Sequence, residues 1–304
     1  MVNGGSTMVK LLMSVALIIC CFAFPLGAQQ VRIQSVQSSE NITYQYYYDL
    51  LQLILTQTAD DYGSADIVVI NTPLSQSRGF SMLKADLLDV FWAGTTVERE
   101  RKFHAIKIPL VGGLLGARVP VIVRDRFAEF EAINTPRQLQ QLVACQGAQW
   151  PDSDILEYNG YRVERVITFQ LIYSMLKQQR CDYFPRGLNE AYAEVNTKGN
   201  ESLMVYDKLI LHYPLPMYFF VSNDHPRLAQ RITQGLEALI TTGQLHVFIE
   251  QHETTRDMFP LSKYNNSRIF DLANPLLPPQ TPFQNQDLWI DLPHPTKNAA
   301  ALVE

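Results

Sequence analysis

The chain contains no HExxH, no GxSxG and no GxxxxGK, so zinc-protease, serine-hydrolase and P-loop chemistry have no support in it. Its six histidines, His104, His212, His225, His246, His252 and His294, do not fall at metal-ligand spacing. There is no internal repeat and no long basic tract, and the formal net charge of -5 argues against a nucleic-acid or anionic-membrane partner. The glycine-rich stretch 112–116 leads into a strand pattern rather than a helix, so it reads as a bend and not as a phosphate loop. No cofactor and no catalytic group is expected. Cysteine is scarce as well: there are four, and Cys20 and Cys21 lie inside an apolar N-terminal run.

What is present is a core-forming composition, 47% hydrophobic and 18% charged over 304 residues, enough for two modest lobes or one large domain. Residues 1–28 read as a secretory signal peptide: Lys10 supplies the positive start, 11–24 the apolar run, and Leu26-Gly27-Ala28 a small-residue cleavage site. A membrane anchor is the alternative, but the run is short and Pro25 closes it. Leu17-Ile18-Ile19 before the two cysteines lack the small residues of a lipidation signal. Cleavage near Ala28 removes one lysine and no acid, taking the charge from -5 to -6, and places the mature protein in an oxidising periplasm. Cys145 and Cys181 then remain, which permits one disulfide or two buried thiols.

Short apolar strands alternate with amphipathic helices, the pattern of α/β layers built on mostly parallel sheet. Strands are expected at 31–35, 65–70, 88–92, 117–123, 143–146, 182–184, 203–206 and 217–221. A helix is expected over 44–58, where Tyr47, Leu50, Leu51, Ile54 and Leu55 share a face. Another begins after Thr135 with Pro136 at its first position, and a third covers 168–179 with Phe169, Ile172, Tyr173 and Leu176 on one side. Residues 188–195 read as a helix. So does a long stretch from Pro226 that buries Leu228, Ile232, Leu236, Leu239 and Ile240 and is capped by Gly243.

The segment LDVFWAGTTVERERKFHAIKIPLVGGLLGARVPVIVR (88–124) sets a strand, a Gly94-Thr95-Thr96 turn, a charged helix start, a Pro-Leu pair and a second apolar strand in that order. With YPLPMYFFVSNDHPRLAQRITQGLEALITTGQLHVFIEQH (213–252), it resembles the bacterial extracytoplasmic solute-binding proteins of type II two-lobed topology, in particular the amino-acid binders. The resemblance covers roughly 85–250 and rests on many weak signals in the right order. It implies two lobes, each a mostly parallel sheet flanked by helices, joined by crossing strands at 117–124 and 217–222. Lobe 1 would be 29–120 plus 222–282, lobe 2 would be 121–221, and 283–304 a C-terminal tail. It also implies a monomer that captures a small polar solute by hinge closure and delivers it to an ABC permease.

On that resemblance, Gly94, Thr95, Thr96 and Arg99 hold the solute from lobe 1. A guanidinium presents a planar fork that meets a carboxylate in two parallel bonds. The alternatives are an N-cap for the threonines and a solvated charge run for Arg99, with Arg101 as the fallback if the register differs by two. Trp150, in the turn 146–152, and Asp152 would face the solute from lobe 2. Asp152 and Asp154 as helix caps, and Trp150 as plain packing, are the alternatives. Arg186 stands where amino-acid binders carry an acid. It points either to a solute that is anionic or lacks a free amine, or to an ion pair with Glu190 or Asp182. The phenylalanine-containing loop after strand 1 is absent, replaced by Ser38, Ser39, Glu40 and a tyrosine-rich helix start, one tyrosine of which would line the cleft. Two rival expectations follow from these departures: a sensory or orphan version of the fold acting on a membrane receptor or protein partner, and an exported enzyme on the same fold.

Overall fold

The computed structural model describes residues 28–37 and 41–293. The expected signal segment, all but Ala28, lies outside the described residues, as do 38–40 and the stretch from 294 on. Among the described residues no helix is long and apolar enough to cross a membrane.

The strands in chain order are β1 (Gln29–Gln34), β2 (Ala65–Ile70), β3 (Val90–Gly94), β4 (His104–Ile106), β5 (Ala117–Val123), β6 (Val143–Gly147), β7 (Arg162–Val166), β8 (Phe184–Gly187), β9 (Leu203–Val205), β10 (Leu209–His212), β11 (Met217–Val221) and β12 (Arg268–Asp271). They form four hydrogen-bonded sheets, which fall into two groups of similar plan, with β10 and β12 continuing the ladder of β5. In the first, β1 and β2 pair in parallel, and Asp89 N–H donates to Arg32 O (2.8 Å) where β1 meets the start of β3. β11 then runs antiparallel between β3 and β4. In the second, β6 and β7 pair in parallel, a parallel bridge at Ala144 and Tyr183 leads to β8, and β5 runs antiparallel against β8 and β9.

Mostly parallel sheet is therefore only half of the arrangement. Each sheet receives one strand from a chain that has just come from the other side, β5 in one and β11 in the other. A strand entering from the opposite lobe runs against its neighbours, and so the ladders around β5 and β11 are antiparallel. The return crossing also lies earlier than 217–222. β11 is paired along its whole length inside the first sheet. The crossing pair is the start of β5 against β10, with Arg118 opposite Leu211 and Ala117 opposite His212, followed by Tyr213-Pro214-Leu215-Pro216. The strand expected at 182–184 is displaced to Phe184–Gly187, so Pro185 and Arg186 sit inside it.

At the crossing the two chains touch backbone to backbone. Tyr213 N–H donates to Gly116 O (3.0 Å), and a Cβ on Gly116 would fall 1.9 Å from Tyr213 O. No side-chain rotation relieves a clash with a carbonyl. Gly116→Ala is expected to lower stability by about 1–3 kcal/mol through a shift of the crossing strands, read as a fall in the urea midpoint. An unchanged midpoint would mean that the crossing is slack.

The helix Tyr44–Gln57 buries Tyr46, Tyr47, Leu50, Leu51, Ile54 and Leu55 against the first sheet, the expected stripe with one more tyrosine. Helix Pro226–Thr241 buries Leu228, Ile232, Leu236 and Leu239 and ends at Gly243, whose left-handed φ of 72° starts the next helix. The apolar core runs unbroken from Val31 and Leu50 through Leu115 and Val119 to Phe184 and Leu188. The described residues beyond β12, 272–293, are tied to the rest of the fold. Ala273 and Asn159 exchange two hydrogen bonds (2.8 and 3.0 Å), Asn274 Nδ2 donates to Pro214 O (2.8 Å), Val97 N–H to Leu276 O (3.1 Å) and Ile290 N–H to Gly112 O (2.9 Å). This segment straps lobe 2, the crossing and lobe 1 together.

Candidate functional site

The cleft between the sheets holds two chambers. The inner one, about 70 Å³, is lined from the first lobe by Gln34, Thr43, Tyr47, Trp92 and Gly94 and from the second by Trp150, Asp152, Arg186 and Glu190, with Arg118 between them. The outer one, about 190 Å³, opens toward solvent. Gln37, Gln76, Trp150 and Phe169 line both and form the neck.

Of the residues singled out from the sequence, Gly94, Trp150, Asp152 and Arg186 line the inner chamber, whereas Thr95, Thr96 and Arg99 line neither. Thr95 is fully buried, and its hydroxyl donates to Glu100 Oε1 (2.8 Å). Thr96 caps the helix Val97–Lys102, its Oγ1 accepting from Arg99 N–H (3.1 Å). The Arg99 guanidinium turns back to Gly94 O (2.5 Å) and Gln76 Oε1 (2.7 Å), lies over Phe80 (4.9 Å) and reaches across the cleft to Gln149 O (3.2 Å). Ser77 N–H makes a second bond across, to Gln149 Oε1 (3.1 Å). All three acceptors of Arg99 are neutral, and no ion pair to it is found among the described residues. Burial pulls its pKa down to about 10, against the fields of Asp152 and Glu98.

From the second lobe, Gly147 lets the Trp150 ring fold onto the turn, since a Cβ there would lie 2.4 Å from the ring. Trp150 and Pro151 open the helix Pro151–Tyr158. Asp152 is not its cap. It is buried, and its Oδ1 accepts from Arg118 Nη2 and from Tyr213 O–H, both at 2.6 Å. Asp154 pairs outward with Arg165 (2.5 Å).

Arg186 is matched within the chain. Its Nε and Nη2 reach Glu194 (2.7 and 2.6 Å) and its Nη1 reaches Glu190 (2.8 Å). The rings of Trp150, Phe169 and Phe184 surround it at 5.0–5.3 Å. Glu194 also accepts from Tyr173 O–H (2.5 Å) and, across the cleft, from Thr43 O–H (3.3 Å). Burial pushes the Glu190 carboxyl up against the pull of Arg186 and Arg118. The other partner weighed for Arg186, Asp182, is held by Arg126 (2.5 Å) instead. The case for an anionic solute rested on a free Arg186 and loses that footing.

Three buried polar atoms here have no partner among the described residues: Arg118 Nε, Gln34 Oε1 and Asn189 Oδ1. Arg118 and Gln34 line the inner chamber. Sequence reading missed Arg118, Glu194 and Gln34. Two signals were available: Arg118 is the one charged residue in the apolar run ARVPVIV, and Glu190 and Glu194 stand four apart on one helical face, four and eight residues after Arg186. Cys145 and Cys181 are joined by a disulfide with Cα atoms 5.6 Å apart, just before the chamber ends of β6 and β8. Away from the cleft, Asp86, Asp89 and His225 approach one another, but the Arg32 guanidinium already binds both carboxylates.

No protein-family profile matches the sequence, and no curated protein matches it. Solved structures do match in fold. A Salmonella typhimurium periplasmic binding protein described for high arginine specificity is 14% identical, with a TM-score of 0.58 over 74% of this chain and 99% of that one. A protein described under glutathione import via GshT and the cystine ABC importer TcyBC of Streptococcus mutans is 15% identical (0.55; 74% and 95%). An ancestral amino-acid-binding protein, described as a precursor of cyclohexadienyl dehydratase, is 12% identical (0.55; 73% and 94%). The fold is that of the type II two-lobed periplasmic binding proteins. The matched structures are mostly binding proteins, with a dehydratase lineage among them.

Proposed function

We propose that this chain is an exported solute-binding protein that closes on a small, polar, amino-acid-like solute in the inner chamber and serves ABC-type uptake. The observation that carries this reading is one space lined from both lobes, two of whose lining residues, Arg118 and Gln34, each keep a buried polar atom (Nε and Oε1) without a partner among the described residues. Buried donors and acceptors are nearly always satisfied, so a chamber that leaves one of each unpaired fits a ligand offering an acceptor and a donor. Its charged groups already match one another, which favours a zwitterion over an anion. Arg99 acts as a latch between the lobes, and hinge closure is the capture step.

The test is thermal denaturation of residues 29–304 with amino acids, dicarboxylates, sugar acids and phosphates. A ligand at a hundred times its Kd stabilises by about 2.7 kcal/mol. Gln34→Leu removes an unsatisfied buried acceptor, so it is expected to leave the ligand-free melting temperature unchanged or higher while weakening the ligand about tenfold. A Gln34→Leu protein that binds as wild type would overturn the assignment.

A second reading is supported by the C-terminal strap and the bonds across the cleft from Thr43, Ser77 and Arg99. These favour the closed shape without help from a solute, as a protein presenting one fixed face to a membrane sensor requires. No shift with any compound, together with an unchanged scattering radius, favours that reading.

A further inference from the structure

We infer that the outer chamber is a second subsite, which selects solutes carrying an uncharged, amide-bearing tail beyond the zwitterionic head. This rests on the solute-binding reading above. Gln37, Gln76, Gln149 and Gln170 converge on this space, and none of its lining residues is charged. It adjoins the inner chamber at Trp150 and Phe169, which line both, so a solute anchored inside can extend into it.

The chemistry of that lining is specific. A primary amide offers two donors and one acceptor site with two lone pairs, and four of them around one space can satisfy another amide in either orientation. A charged tail would meet no free counter-charge among the described lining residues, since the nearby Arg99 guanidinium is already bonded to Gln76, Gln149 and Gly94. Several of the amide groups already have partners: Gln37 Nε2 donates to Leu74 O (2.6 Å), Gln76 Oε1 accepts from Arg99, and Gln149 Oε1 accepts from Ser77 N–H. These bonds orient the remaining amide atoms and spare part of the ordering cost on binding. Gln170, exposed near the start of the helix Phe169–Lys177, completes the wall. The substrate class is thus an amino acid with a glutamine-like side chain, or a short neutral peptide.

The test is calorimetric titration of residues 29–304 with glycine and alanine (head alone), glutamine and alanyl-glutamine (neutral amide tail), and glutamate, lysine and arginine (charged tail). The amide-tailed compounds are expected to bind about tenfold or more tighter than the others. Gln170→Glu, a surface change that leaves folding intact, is expected to remove that advantage and raise lysine affinity, while alanine affinity stays unchanged. Equal affinities for alanine and glutamine, or a preference for arginine in the unaltered protein, overturn the subsite while leaving solute capture standing. No heat with any compound overturns both.

Discussion

Replacing Glu194 by alanine lowers the unfolding free energy by about 3–5 kcal/mol, the cost of breaking a buried ion pair by deleting one partner. Glu194 is fully buried and receives two bonds from Arg186, one from Tyr173 and one from Thr43. Without it Arg186 keeps only Glu190, and a guanidinium cannot shed its proton to escape. The melting temperature is expected to fall by roughly 10 °C, since each kcal/mol moves a protein of this size by about 2–4 °C. A paired replacement, Arg186→Met with Glu194→Leu, is expected to restore most of the loss, because two apolar side chains need no counter-charge in the aromatic cage. A single Glu194→Ala variant within 1 kcal/mol of wild type, about the value of an exposed pair, would show that water reaches the cluster and that its burial is overstated.

The second large effect concerns the disulfide. Cys145 and Cys181 are 36 residues apart, and cross-linking a loop of that length stabilises by about 3–4 kcal/mol on the chain-entropy account. Cys145→Ala with Cys181→Ala is expected to lose about that much, measured by urea unfolding without reductant. The loss has a functional side, because the bond ties β6 to the chain entering β8. These strands carry Gln146 and Gly147 on one side and Arg186 on the other. A solute that stabilises the wild-type protein should therefore bind the double variant more weakly. Dithiothreitol should reproduce the stability loss in the wild type and leave the double variant untouched. Equal urea midpoints with and without dithiothreitol in the wild type would mean that the bond contributes nothing to folding.

Much of the architecture could be read from periodicity. The helices at 44–57, 169–177, 188–195 and 226–241 were expected to within a few residues, because each carries an apolar stripe that only a 3.6-residue period explains. The strands at 65–70, 117–123 and 217–221 were expected for the opposite reason, as short apolar runs between turn signals. β4, β7, β10 and β12 were not. β7, RVERV, and β12, RIFD, are short and charge-bearing, and backbone pairing with a neighbour makes them strands. Their own side chains carry no strand signal. The position of the return crossing was missed for a related reason: β10 pairs with β5 over only two residues.

For the cleft, local sequence identified the right neighbourhood and misjudged several roles. Thr95, Thr96 and Arg99 carry the order expected of a solute-gripping turn, yet their side chains bond within their own turn, to Gln76 and to the facing lobe. Which way a long, flexible guanidinium side chain points is set by the acceptors within its reach, and two of the three that hold Arg99 come from residues 23 and 50 positions away.

The sequence by itself determined which strongly patterned segments become helices and strands, and that two cysteines remain beyond the apolar N-terminal run. Those are properties of composition and of spacing along one chain. Only the tertiary structure decided that Arg186 is matched by Glu190 and Glu194 and that Asp152 belongs to Arg118. It also decided that Arg118 and Gln34 line one chamber beside a glutamine-lined one. Charge balance in a buried space depends on every residue the fold brings within a few ångströms, and the chain order does not contain that distance.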